Sequence, residues 1–188
     1  MAVLPPAAHT WLAGDDATST NMQTLTALLN LLRGGTATAA PTFRAVLTAA
    51  GTSLTAANGT STCLPNVVNE DSDSAYNPAT GIYTVKTPGL WLFTGTVQWA
   101  SNTTGVRQGY LAASDVAGGG GPVYGNSPLI SAAVDGGGRC AVTLLTRLAV
   151  NDTVRLQGYQ NSGASLGYLY PPSGTFPGVA IQGVWMSA

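Results

Sequence analysis

Apolar and polar residues alternate most regularly between positions 90 and 99, LWLFTGTVQW. Trp91, Phe93, Gly95, Val97 and Trp99 share one face of an extended chain there, and Leu90, Leu92, Thr94, Thr96 and Gln98 share the other. The first face is predicted to be core, while the second passes from apolar to polar along its length. Just upstream, Ile82-Tyr83-Thr84-Val85 is a shorter strand-forming run. Lys86-Thr87-Pro88-Gly89 between the two runs is a turn signal, with Pro fixing φ and Gly allowing a tight reversal. The two runs are therefore expected to form a central hairpin against which the remaining strands pack.

Further strands are predicted over residues 64–68, 106–112, 123–124, 129–134, 141–148, 153–159 and 179–186, with 51–62 as a loop or weak edge strand. Gly125-Asn126-Ser127-Pro128, Asp135-Gly136-Gly137-Gly138 and Asn151-Asp152 supply turns between them. Many short strands with regular turn signals predict a two-sheet antiparallel sandwich. The one good helix pattern covers residues 19–33. Thr20 is its N-cap and Gln23 completes a capping box, while Met22, Leu25, Leu28, Leu29 and Leu32 form an apolar stripe that ends at Gly34-Gly35. A helix this short is marginal alone in water. Its stripe is expected to be buried against sister chains or a host structure, with packing on its own sandwich as the lesser alternative. Residues 36–41, TATAAP, read as a linker. The expected organisation is thus a tail and short amphipathic helix over 1–40, serving anchoring or oligomerisation, and an all-β head over 41–188. Trp11 and Leu12 stand out in the irregular tail. They either dock the tail on another protein or pack within their own chain.

Three blocks carry a family resemblance. The first is Tyr76-Asn77-Pro78-Ala79-Thr80-Gly81-Ile82-Tyr83-Thr84 followed by Pro88-Gly89-Leu90-Trp91-Leu92-Phe93. The second is VTLLTRLAVNDTVRLQ at 142–157, and the third is FPGVAIQGVWM at 176–186. In this order they resemble the C1q/TNF-like jelly-roll family, with residues 42–48 as the first strand. The resemblance implies a jelly-roll head and a homotrimer packed around a three-fold axis. Some members of the family bind calcium near that axis. Ahead of the head, Trp11, Ala13, Gly14, Asp15 and Asp16, followed by Asn21 and the leucine-rich helix, resemble the N-terminal segments of phage structural and tail-fibre proteins.

Composition narrows the function. Charged residues make up 8% of the chain, about a third of the usual share of roughly 25%, which suits a surface covered by partners or made of Thr, Ser, Asn and Gly. The net charge of −1 gives no electrostatic case for nucleic acid or an anionic membrane. No apolar run is long enough to span a bilayer, and residues 1–6 lack the pattern of a signal peptide. The single histidine, His9, lies in the tail, so a Ser-His-Asp or Cys-His site is not expected. His9, Cys63 and Cys140 do not have zinc-ligand spacing. The two cysteines are read as buried free thiols, with a bridge between them left open. Glu70, Asp71 and Asp73 cluster in one stretch and are the calcium candidates; the competing reading is a solvated acidic loop. Tyr110, Tyr124, Tyr159, Tyr168 and Tyr170, with amides nearby, are the residue types that stack on sugar rings. Strand alternation favours packing roles for most of them, and the loop residues Tyr168 and Tyr170 are the candidates for an exposed ligand surface.

The expected protein is non-enzymatic and without a cofactor: a trimeric phage virion surface protein, either capsid decoration, head fibre or tail fibre. Its N-terminus would meet other virion proteins. The alternative is a carbohydrate- or protein-binding module, an adhesin or receptor-binding head, meeting a host surface glycan or protein.

Overall fold

In the computed structural model, the inner face predicted for residues 90–99 is the centre of the core. Trp91, Phe93, Val97 and Trp99 have no solvent exposure, and burial alternates without a break along the strand that carries them. The structure describes residues 40–48, 53–54, 59–114, 123–126, 130–131, 138–169 and 178–188. The predicted helix, the tail residues Trp11 and Leu12, the stripe residues Met22, Leu25, Leu28, Leu29 and Leu32, His9 and Tyr170 all lie outside the described residues.

Residues 41–188 form one unit made of strands, with no helix among the described residues. The strands are β1 (Thr42–Val46), β2 (Ser53–Leu54), β3 (Gly59–Thr62), β4 (Val67–Asp71), β5 (Tyr76–Asn77), β6 (Ile82–Thr84), β7 (Gly89–Gln98), β8 (Val106–Ser114), β9 (Val123–Asn126), β10 (Ile130–Ser131), β11 (Arg139–Leu148), β12 (Thr153–Gln160), β13 (Leu166–Gly167) and β14 (Ala180–Ser187). They build a five-stranded sheet in the order β11-β7-β14-β1-β4 and a seven-stranded sheet along the path β10-β8-β12-β6-β5, with β3 added to β12 and β9 to β8. β13 and β2 form a small separate ladder. Every strand pair is antiparallel.

The expected central hairpin does not form. β6 lies in the seven-stranded sheet and β7 in the five-stranded one, so Lys86-Thr87-Pro88-Gly89 carries the chain across the sandwich instead of folding it back on itself. β11 and β12 are split between the sheets in the same way, across Asn151-Asp152. The two crossings bond to each other. Val85 N–H donates to the Asp152 carbonyl and Asn151 N–H donates to the Val85 carbonyl, both at 2.8 Å. The buried Asp152 carboxylate accepts the Ala149 N–H at 2.7 Å, and Asn151 takes a φ of 74°, which Asn tolerates better than most side chains. Backbone groups leaving one sheet for the other would otherwise lose their partners, and this mutual bonding restores them. Gly89 is required at the end of the first crossing. Its φ is 145°, and a Cβ there would lie 2.2 Å from the Ser187 carbonyl oxygen.

Between the sheets, Phe43, Tyr76, Tyr83, Trp91 and Phe93 form a continuous aromatic run with ring centroids 4.8–5.6 Å apart. Each such side chain contributes roughly 1.5–3 kcal/mol by leaving water. Gly95 interrupts the large residues of β7, and a Cβ there would lie 2.6 Å from Leu156 Cδ1 of the facing sheet. Cys63 and Cys140 are both buried and are not joined in a disulfide. Burial pushes the Cys63 thiol up from 9.0 to about 12, opposed in part by its hydrogen bond with Tyr168.

Candidate functional site

Each sheet presents one face to the core and one outward, and the two outward faces differ in chemistry. On the five-stranded sheet, register aligns Leu145, Leu92, Val184 and Thr42 in one row across β11, β7, β14 and β1. The next row is Thr143, Thr94, Gln182, Arg44 and Glu70. Leu145 is 59% exposed, Val184 42% and Met186 53%. A hollow of about 200 Å³ on this face is lined by Thr94, Thr96, Gln182 and the two cations Arg44 and Arg139.

The seven-stranded sheet carries a larger groove, of about 410 Å³, lined by Thr60, Tyr110, Tyr124, Arg155 and Gln157. Four strands supply these residues: β3, β8, β9 and β12. Pairing sets Gln157 opposite Tyr110, and Tyr124 and Arg155 on either side of Ala112, so the small alanine separates an aromatic ring from a guanidinium. The alternation of β12 produces this arrangement. Val154 and Leu156 turn to the core and leave Arg155, Gln157 and Tyr159 on the other face. Tyr124 is 53% exposed. The Tyr110 hydroxyl donates to Gln108 Oε1, and partial burial, with Tyr159 nearby, raises its pKa so that the phenol stays neutral. Among the described residues the groove therefore offers aromatic faces, an amide, hydroxyls and one positive charge, and none of them is a carboxylate.

Comparison with solved structures follows from this architecture. The globular domain of zebrafish complement C1qA matches with a TM-score of 0.55 at 14% identity, covering 78% of this chain and 97% of that one. Murine APRIL matches with a TM-score of 0.52 at 12% identity, covering 78% and 98%. The Eiger TNF of S. frugiperda matches with a TM-score of 0.54 at 13% identity, covering 79% and 92%. The head has the C1q/TNF jelly-roll fold. No family model and no curated protein sequence matches the chain.

Within this jelly-roll head, the described residues among those singled out from sequence are not gathered into one site. Tyr168 is buried at 5% exposure and not displayed as expected. Its ring packs 6.1 Å from that of Trp99 and its hydroxyl lies 3.0 Å from Ser61 Oγ, because a short bridge to Trp99 draws the loop onto the core. Burial raises its pKa strongly. Tyr110 and Tyr124, for which packing was favoured, line the open groove, and Tyr159 lies on the same outer face. Arg155, Gln157 and Thr60 were not singled out at all.

The acidic residues are each engaged locally. Glu70 Oε1 accepts from the Thr42 hydroxyl. Asp71 Oδ2 accepts the N–H groups of Ala75 and Tyr76 at 2.8 and 2.9 Å, and Asp73 Oδ2 accepts the Thr87 hydroxyl at 3.0 Å. Lys86 Nζ donates to the carbonyls of Asp73 and Ser74 at 2.7 Å, supplying positive charge where these oxygens converge. Among the described residues, no three His, Cys, Asp or Glu side chains come together as a metal site.

Proposed function

We propose that the chain is a non-enzymatic surface protein of a bacteriophage virion, a homotrimeric capsid decoration, head-fibre or tail-fibre protein. Residues 1–40 attach it to other virion proteins and the head projects outward. The observation that carries the assembly is the outward face of the five-stranded sheet. Leu145, Leu92 and Val184 stand in one apolar row, and the charged residues of the face, Arg44, Glu70, Arg139 and Arg147, lie outside it. Such a row loses little polar hydration when covered and gains from every apolar side chain buried. The resemblance of the tail to phage structural proteins and the leucine stripe of residues 19–33 support attachment through the N-terminus.

Two measurements test the reading. Light scattering on the full chain is expected to give close to three times the 19.0 kDa chain mass. Immunogold labelling of phage particles from a producing culture is expected to decorate the virion surface. A monomer would remove the trimer, and unlabelled particles would remove the virion role.

A further inference from the structure

We propose that the groove of the seven-stranded sheet binds a saccharide bearing a carboxylate, such as a hexuronate or sialylated oligosaccharide. The inference extends the head of the proposed virion protein to a ligand, and it rests on that reading only in taking the outer sheet face to be displayed. Four observations favour this ligand class. First, the groove's volume of about 410 Å³ falls in the range of small-ligand sites, roughly 300–1,000 Å³. Second, Tyr124 keeps half its surface in water on a strand paired with β8, and Tyr110 stands one register step away on β8 itself. These rings, Tyr124 half exposed and Tyr110 partly buried, are held on strands and offer a flat apolar surface to the C–H face of a pyranose. Their hydroxyls, with the Gln157 amide, match sugar hydroxyls. Third, Arg155 is exposed and its cross-strand neighbours are Ile82 and Ala112, neither of which carries a charge. With no carboxylate in the lining among the described residues, its guanidinium fork is placed for bidentate pairing with the acid group of a ligand.

The fourth observation is comparative. A nucleic acid would also use aromatic rings and arginine, but a polyanion requires several cations along its path, and the described residues of this groove supply one on a chain of net charge −1.

The test is an array of hexuronate and sialylated oligosaccharides printed beside their neutral counterparts, probed with the full chain. Selective retention of carboxylated saccharides is expected. Arg155→Gln should weaken them at least ten-fold without improving the neutral ones, and Tyr124→Ala should abolish retention of both. Arg155 and Tyr124 are exposed, so both variants should keep the wild-type melting temperature, measured on the same samples. Absence of retention for every carboxylated saccharide, equal retention of acidic and neutral forms, or indifference to both substitutions would overturn the proposal. Light scattering on each sample separates this outcome from assembly: a non-binding trimer removes the ligand alone, and a binding monomer removes the trimer alone.

Discussion

The two outward faces of the sandwich are made by the same rule and differ in what the rule leaves outside. On both sheets, alternate residues enter a shared aromatic core. What remains on the five-stranded sheet is a row of Leu145, Leu92 and Val184, suited in the proposed homotrimer to cover by a neighbouring copy of the chain. What remains on the seven-stranded sheet is Tyr110, Tyr124, Gln157 and Arg155 around a groove, suited to a polar ligand. The core specifies the fold and is silent on the two faces, so substitutions can separate the roles. Inner positions should disturb both faces together, and outer positions only one.

The largest effect is expected at an inner position. Trp91→Ala empties the centre of the core, where Trp91 has no exposure and stacks on Phe93 at 5.5 Å. It should cost roughly 3–5 kcal/mol in chemical denaturation and take assembly and ligand binding down with it. Leu145→Glu comes next. The residue is more than half exposed in the single chain, so folding should survive. Placing a charge in the apolar row should weaken self-association by roughly 2–4 kcal/mol, seen as a fall in solution mass, and leave the groove intact. A core that responds to pH gives a third effect. The unfolded Cys63 thiol ionises from about 9.0 upward, whereas the buried one keeps its proton until about 12, so stability should be lost between those values. The contribution is about 1.4 kcal/mol per pH unit at most. Urea denaturation of wild type and Cys63→Ala at pH 8 and pH 11 should show a smaller loss in the variant. The smallest effect is at the groove. Tyr124→Ala should change stability by less than about 0.5 kcal/mol and leave the solution mass unchanged, since the ring is half exposed.

How far the sequence could be read follows the same division. The inner face of β7 was legible because period-two alternation runs through ten residues without a break. Sheet membership was not. Lys86-Thr87-Pro88-Gly89 and Asn151-Asp152 look like hairpin turns, yet both cross between sheets, and strands on either side of a sandwich alternate identically. Strand pairings between segments far apart in sequence distinguish the cases, β7 with β11 and β14, and β6 with β12. The groove was half legible. Arg155, Gln157 and Tyr159 alternate with Val154 and Leu156, which already places them outside the core. Their juxtaposition with Tyr124 depends on the pairing of β8 with both β9 and β12, which no local pattern encodes. Tyr168 was misplaced because a loop position was equated with exposure, while its bridge to Trp99 pulls it inward.

The division between the faces is tested most directly by the solution masses of three proteins: wild type, Leu145→Glu and Tyr124→Glu. Close to three times 19.0 kDa is expected for wild type and Tyr124→Glu, and close to 19.0 kDa for Leu145→Glu. A wild-type monomer, or a trimer dissociated by Tyr124→Glu and untouched by Leu145→Glu, would contradict the assignment of self-association to the five-stranded sheet.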